Sequence, residues 1–211
     1  MSPRGGRSAG PASELAILLF ETTREWDRWL ARNGESAGVW MRIAKKAAAL
    51  QSITYAEALD VALRHGWIDS QKKSHDDASF LQKFTPRGAR SIWSKVNREK
   101  VEALIAGGAM KPAGLRAVER AKQNGQWDQA YDPHSRAMVP DDLQAALDRH
   151  EKARVFFATL TGANRYAVLF RIQTAVKPET RAKRIAQFVA MLGRGETFHG
   201  PPGGRPAKRR S

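Results

Sequence analysis

The sequence predicts an α+β protein, with a small, mainly antiparallel sheet and packed helices in its N-terminal half and a helical C-terminal region. The short apolar or alternating segments whose pattern predicts strands all lie before residue 87. Apolar residues spaced three and four apart mark helices in both halves. From Ser94 onward every strong signal is helical. Strands that give way to a run of helices are typical of the α+β class.

The first part of the chain is predicted to alternate strands and helices. Leu15–Phe20 is a short apolar run typical of a buried strand. The helix after it has a buried face made of Trp26, Trp29 and Leu30. Gly38–Ala44 alternates with period two, which predicts a second strand. Thr54 and Glu57 have the spacing of a capping box, so the next helix begins there and ends at Gly66.

Two further strands are predicted, over Trp67–Ser70 and Ala78–Phe84, joined by a polar loop and closed by Pro86. Apolar stripes then predict helices around Val101–Ile105 and from Pro112 to Ala121. The remaining helices are predicted from Pro140 and over Glu151–Leu160, Ala163–Thr174 and Pro178–Leu192.

This pattern divides the chain into five predicted regions. A disordered basic arm at residues 1–13 precedes an α+β core domain at 14–125. A connecting loop at 126–139, rich in polar residues, leads to a helical C-terminal subdomain at 140–196. The Gly- and Pro-rich segment 197–211 is predicted to be a disordered basic tail.

The net charge of +15 favours an acidic partner such as nucleic acid, anionic lipid or a phosphorylated metabolite, although solubility alone is the alternative explanation. Six of these charges lie in the two terminal segments, and the part between them keeps a positive surplus. No apolar run reaches the ~20 residues that span a bilayer. The chain lacks cysteine and a recognisable leader, so a cytoplasmic location is predicted.

Several catalytic and cofactor motifs are missing from the sequence. It has no phosphate loop, no dinucleotide-binding glycine motif, no HExxH and no GxSxG. The five histidines are scattered without metal-ligand spacing, so no metal and no cofactor are predicted. His75, Asp76 and Asp77 are interpreted as part of a polar loop rather than a weak cation site.

The stretch Gly66–Asn97 crowds Trp, Asp, Arg, His and Asn together outside a plain helical pattern. Asp69 follows two large apolar residues, so its carboxylate needs an arginine, a hydrogen-bond donor or a raised pKa, and Arg87 or Arg90 would supply the charge in the first case. One interpretation is a pocket that binds an anion or a metabolite. In a variant of this interpretation, the pocket is the active site of an enzyme that uses Asp69 as an acid or a base. The other is a structural latch between sheet and helices. The predicted pocket residues are Trp67, Asp69, Lys72, Arg87, Trp93, Ser94 and Asn97.

A second basic cluster is predicted near the C-terminus. The basic side chains of this cluster have one acidic neighbour, Glu179. They predict either a helix face that binds successive phosphate groups of a polyanion or an ordinary solvated helix face. The predicted anion-binding residues are Arg165, Arg171, Lys177, Arg181, Lys183 and Arg184.

A series of short motifs runs through the chain in fixed order: Trp26…Trp29-Leu30, Gly38-Val39-Trp40, Tyr55-x-Glu57-Ala58, Gly66-Trp67-Ile68-Asp69, Pro86-Arg87, Trp93-Ser94-x-x-Asn97, Gly108-x-Met110-x-Pro112-x-Gly114 and Ala175-x-Lys177-x-Glu179-Thr180-Arg181-x-Lys183-Arg184-Ile185. The series, from about Leu15 to Leu192, resembles the YdeI/OmpD-associated (OmdA-like, "bacteriocin-protection") bacterial family. The resemblance implies a soluble bacterial α+β protein and supplies no catalytic residues.

The resemblance and the charge together predict a cytosolic, non-catalytic binding or stress- and bacteriocin-protection protein with a basic surface for an anionic partner. Three alternatives stay open: a small-molecule enzyme with a pocket around Asp69, Arg87 and Asn97, a nucleic-acid-binding accessory protein, and a structural module. The sequence leaves the oligomeric state undetermined.

Overall fold

A computed structural model describes residues 14–200 and confirms the α+β fold class. The predicted arm at 1–13 and residues 201–211 of the predicted tail lie outside the described residues. The four strands are β1 (Ile17–Leu19), β2 (Val39–Ala44), β3 (Trp67–Ser74) and β4 (Ser79–Pro86). The helices are α1 (Thr23–Arg32), α2 (Tyr55–Arg64), α3 (Lys95–Ala106), α4 (Pro112–Gln123), α5 (Asp141–Asp148), α6 (Glu151–Thr159), α7 (Gly162–Gln173) and α8 (Pro178–Gly193).

The strands form one sheet in the order β1-β2-β4-β3. β1 and β2 are parallel, whereas β2–β4 and β4–β3 are antiparallel, so the sheet is mainly antiparallel as predicted. β3 runs to Ser74, beyond the predicted end at Ser70, with a bulge between Asp69 and Lys72. The side chains at the end of this edge strand are exposed and polar, so the sequence lacks the alternation of apolar and polar residues that predicts a strand. The backbone nevertheless pairs with β4.

The described residues divide into two compact units. The first comprises residues 14–90 and 100–120, and the second comprises 91–99 and 121–200. Of the three divisions, one precedes α3 and the other two fall inside α3 and α4. The predicted domain boundaries at 125–126 and 139–140 stay a prediction. Among residues 14–200, no helix has both the length and the apolar character needed to cross a membrane.

An aromatic cluster forms the core of the first unit. The Trp26 ring is fully buried and contacts the rings of Phe20, Trp29, Trp67 and Phe84. The predicted capping box of Thr54 and Glu57 is present at the start of α2. Gly66 has a φ of 75° immediately after this helix, a left-handed conformation that favours glycine and ends α2 where predicted.

The core of the second unit lies among α5, α6, α7 and α8. Its members are buried apolar side chains, among them Leu143, Leu147, Phe157, Leu169, Ile172, Phe188, Val189 and Leu192. Residues 197–200 also contact this unit, because the Phe198 ring lies 5.2 Å from that of Phe188 and the His199 amide donates to Asn164 at 2.9 Å.

Candidate anion-binding site

Four lysines and one phenylalanine line a pocket of about 590 Å³ at one end of the sheet in the first unit. We call it the lysine pocket, and it comprises Lys45, Lys46, Lys72, Lys73 and Phe80. The first two lysines follow β2, the next two lie on β3, and Phe80 lies on β4. Because β4 is hydrogen-bonded between β2 and β3, the sheet order brings the two lysine pairs to the same end.

Contacts with the sheet hold three of the lysine ammonium groups. Lys72 Nζ lies 4.0 Å from the centre of the Phe80 ring, and Lys73 Nζ lies 4.3 Å from that of Trp40. Lys45 Nζ donates to the Asp76 carbonyl oxygen at 2.7 Å. These contacts orient the side chains without neutralising them. Within residues 14–200, none of the four ammonium groups of the lysine pocket forms a salt bridge.

The nearby Asp76 carboxylate is satisfied by other groups. Ser79 Oγ donates to it at 2.7 Å, the Ala78 amide at 3.0 Å, and Arg42 Nη2 at 2.8 Å. The Ser79 hydrogen bond is the main reason that the pKa of Asp76 lies below its usual 3.8. His75 Nε2 is 3.7 Å from the same carboxylate, and no cluster of three metal-binding side chains occurs among the described residues.

The predicted pocket residues of the first unit lie on or beside the β3–β4 hairpin, and Lys72 also lines the lysine pocket. Trp67 is buried in the aromatic core. The Asp69 carboxylate accepts a hydrogen bond from the Tyr55 hydroxyl at 2.9 Å, and a hydrogen-bond donor is one of the alternatives that the sequence left open for this carboxylate. Arg87 is only 4% exposed, and its backbone amide donates to the Gly66 carbonyl oxygen at 2.9 Å.

The other predicted pocket residues belong to the second unit. Ser94 Oγ accepts a hydrogen bond from the Asn97 backbone amide at 3.1 Å at the start of α3, which is the capping contact of the structural interpretation. Trp93 is buried, with its ring 4.8 Å from that of Trp127. That the seven residues form one pocket stays a prediction, because they are divided between the two units.

Two of the predicted C-terminal arginines stack on aromatic rings of the second unit. The guanidinium carbon of Arg165 lies 4.5 Å from the centre of the Phe157 ring, and that of Arg171 lies 4.1 Å from that of Phe198. Arg171 Nη1 also donates to the Ala167 carbonyl oxygen at 2.9 Å. These contacts give the two side chains a packing role.

The remaining members of this cluster lie at and within α8. Arg184 Nη1 donates to the Arg171 carbonyl oxygen, and Arg181 Nη1 donates to that of Ile172 at 3.0 Å. The Lys177 and Lys183 side chains are exposed. An anion-binding role for the six residues together stays a prediction.

Asp142 forms a two-point ion pair with Arg181, whose Nε and Nη2 lie 2.6 and 2.8 Å from its carboxylate oxygens. The hydrogen bond from Arg181 is the main reason that the pKa of Asp142 lies below its usual 3.8. Asp142 is at the start of α5, beside the exposed Asp141, and both carboxylates face the same helix dipole.

Replacing Asp142 with Asn is expected to lower the free energy of unfolding at neutral pH by about 0.5–1 kcal/mol, since the pair is partly exposed. The folded-state pKa is depressed, so this contribution is present above the unfolded pKa and lost as the pH falls through 3.8 and below. Urea denaturation at several pH values measures the difference. Asp141→Asn is the matched control, and an equal loss in both variants would contradict a specific role for Arg181.

Sequence reasoning missed Lys45, Lys46 and Phe80 as site residues. The available signal was two Lys-Lys pairs, one directly after β2 and the other in a polar stretch close to β4. Their approach depends on the pairing of Ala44 with Ser79 and of Ser74 with Phe80, which the sequence does not specify locally.

The fold and the site define an α+β protein whose sheet carries a basic pocket and whose C-terminal part is helical. Residues 18–117 match the model of a domain of unknown function (DUF8412). Residues 136–195 match the OmdA family model, described as bacteriocin-protection, YdeI or OmpD-associated. Residues 136–195 are therefore similar to the OmdA family, which confirms the resemblance for that part of the chain.

The two family models divide the motif series that carried the resemblance. Most of the quoted motifs, from Trp26 to Gly114, fall within the range of the first model, and the closing motif around Arg181 falls within the OmdA range. Comparison with curated proteins and with solved structures gave no match.

Proposed function

We propose that this protein binds an anionic partner, without catalysing a reaction, through the lysine pocket. The observation that carries the proposal is a pocket lined by four lysines, none of whose ammonium groups forms a salt bridge within residues 14–200. Lysines that line one pocket without acidic partners create a positive potential there, and this potential attracts an anion.

The chemistry of the pocket favours phosphate groups along a flexible polyanion. Lysine ammonium groups act as point charges that donate hydrogen bonds to phosphate oxygens in several directions, unlike the planar guanidinium of arginine. Phe80 adds a half-buried apolar surface between the lysines. Binding dominated by such contacts releases counterions and weakens steeply as the salt concentration rises.

The double variant Lys45→Glu, Lys72→Glu is expected to weaken binding of a fluorescein-labelled single-stranded oligonucleotide by at least tenfold, about 1.4 kcal/mol. The slope of log affinity against log salt concentration is negative, and its magnitude should decrease by about 0.7 for each phosphate that the variant no longer neutralises. Fluorescence anisotropy across a salt series measures both quantities. Since the replaced side chains are exposed, the variant should remain folded.

The matched control is Lys122→Glu, Arg154→Glu, which makes the same change in net charge at exposed basic side chains of the other unit, outside the predicted anion-binding cluster. This control is expected to keep most of the affinity. Equal losses in the two variants would show that net charge alone drives binding and would contradict a role for the lysine pocket. If the wild-type protein failed to bind the oligonucleotide at low salt, the proposal that the pocket binds a single-stranded nucleic acid would be wrong.

Bacteriocin protection is named in the description of the family model that residues 136–195 match. We propose that binding at the lysine pocket is how this chain contributes to such protection. Cells that produce the wild-type chain should then survive bacteriocin challenge better than cells that produce the Lys45→Glu, Lys72→Glu variant at the same level. Equal survival would show that the lysine pocket does not contribute to protection against bacteriocins.

A further inference from the structure

An open groove runs along α8 in the second unit, with a volume of about 990 Å³. We call it the α8 groove. It is lined from Pro178 to Gly193, which are 15 positions apart and therefore about 22 Å apart along a helix axis. The opposite wall is formed by α5 and by the corner where α5 meets α6. A volume of this size is typical of small-molecule sites.

The lining of the α8 groove is mainly apolar. Ala182, Ala186 and Ala190 repeat every four residues on α8 and stay exposed, while Ile185 and Val189 beside them are buried. Because alanine side chains are short, they leave a long channel where larger residues would fill the space. A concave channel with an apolar lining is the kind of surface in which a ligand buries an apolar chain.

The charges along the α8 groove are not balanced. Asp142 and Arg181 neutralise each other in their two-point ion pair. Arg149 and Lys152 line the α5–α6 corner and form no salt bridge with any of residues 14–200, and Glu151 is the acidic side chain among the lining residues of that corner. Asp148, at the end of α5, does not line the groove and accepts a hydrogen bond from Gln144 at 2.9 Å. The groove therefore combines an apolar channel with a net positive corner.

We propose that the α8 groove binds a long-chain alkyl carboxylate, with the chain along the alanines of α8 and the carboxylate at Arg149 and Lys152. Charge complementarity favours this occupant over a second copy of the chain. A two-fold contact between copies would bring the same positive corners into one interface, where they would repel. The inference is independent of the lysine pocket, which lies in the other unit.

The test is isothermal titration of the full-length protein with sodium laurate below its micelle concentration. The wild type is expected to bind one laurate. Ala186→Trp should weaken binding by at least about tenfold, the loss expected when two or more methylene groups no longer reach the channel. Ala182→Trp should do the same, and Gln187→Trp is the control, since Gln187 is exposed on α8 outside the groove. Circular dichroism verifies that each variant is folded.

Separate arms test the head group and the rival occupants. The variant Arg149→Glu, Lys152→Glu should weaken laurate binding while leaving the binding of dodecyltrimethylammonium unchanged or stronger. Equal binding of the two amphiphiles by the wild type would overturn the charge argument. Absence of laurate binding would overturn the proposal, as would a wild-type dimer that Ala186→Trp dissociates. Sedimentation with phosphatidylglycerol vesicles but no binding of free laurate would show a membrane surface instead.

Discussion

Replacing Trp26 with Ala is expected to lower the free energy of unfolding by about 3–5 kcal/mol. This side chain is fully buried, and its ring centre lies 5.0 Å from that of Phe20, 5.4 Å from that of Trp29 and 5.6 Å from that of Phe84. Its Nε1 also donates to the Ala58 carbonyl oxygen at 3.0 Å and so ties α1 to α2. The substitution leaves a cavity where aromatic groups meet. Urea denaturation followed by far-UV circular dichroism measures the loss.

Trp26→Phe separates the packing of the ring from its hydrogen bond. Phenylalanine keeps an aromatic ring but donates nothing to the Ala58 carbonyl, so we expect a smaller loss of about 1–3 kcal/mol. If Trp26→Ala cost no more than Trp26→Phe, the aromatic cluster would not be the main source of stability in the first unit.

The elements that the sequence predicted well are those whose cause lies within a few residues. Trp26 and Leu30 are both buried, because positions four apart lie on one side of a helix. The capping box of Thr54 and Glu57 is present because it needs only a three-residue spacing. The apolar face of α8, with Phe188 buried near its end, follows from the same periodicity.

The parts that the sequence could not predict depend on distant pairings. Lys45 and Lys72 share a pocket because β4 inserts between the strands that carry them, and sheet order is not a local property. Asp69 accepts a hydrogen bond from Tyr55 of α2, and the sequence, which left an arginine or a hydrogen-bond donor open, does not identify that residue. The α8 groove arises from short side chains such as Ala186. In the sequence, an alanine that lines a groove cannot be distinguished from an alanine in the core.

Replacing Gly114 with Ala is expected to destabilise the protein by about 2 kcal/mol or more, although alanine favours helices by about 1 kcal/mol over glycine. Gly114 lies in the first turns of α4, where a Cβ atom would be 2.2 Å from the Arg64 carbonyl oxygen and 2.7 Å from Met110 Cε. The Lys111 amide donates to the same carbonyl oxygen at 3.0 Å, so the backbone there is held in place. Relief of the clash requires the end of α2 and the start of α4 to separate.

Gly193→Ala is the matched control, because it makes the same substitution in the last turn of α8, where a Cβ atom would meet nothing within 4 Å. Helix propensity then acts alone, and we expect a change between zero and about 1 kcal/mol of stabilisation. Urea denaturation of both variants beside the wild type measures the contrast. If Gly114→Ala were as well tolerated as Gly193→Ala, close contact between the α2 and α4 backbones would not be what requires a glycine at residue 114.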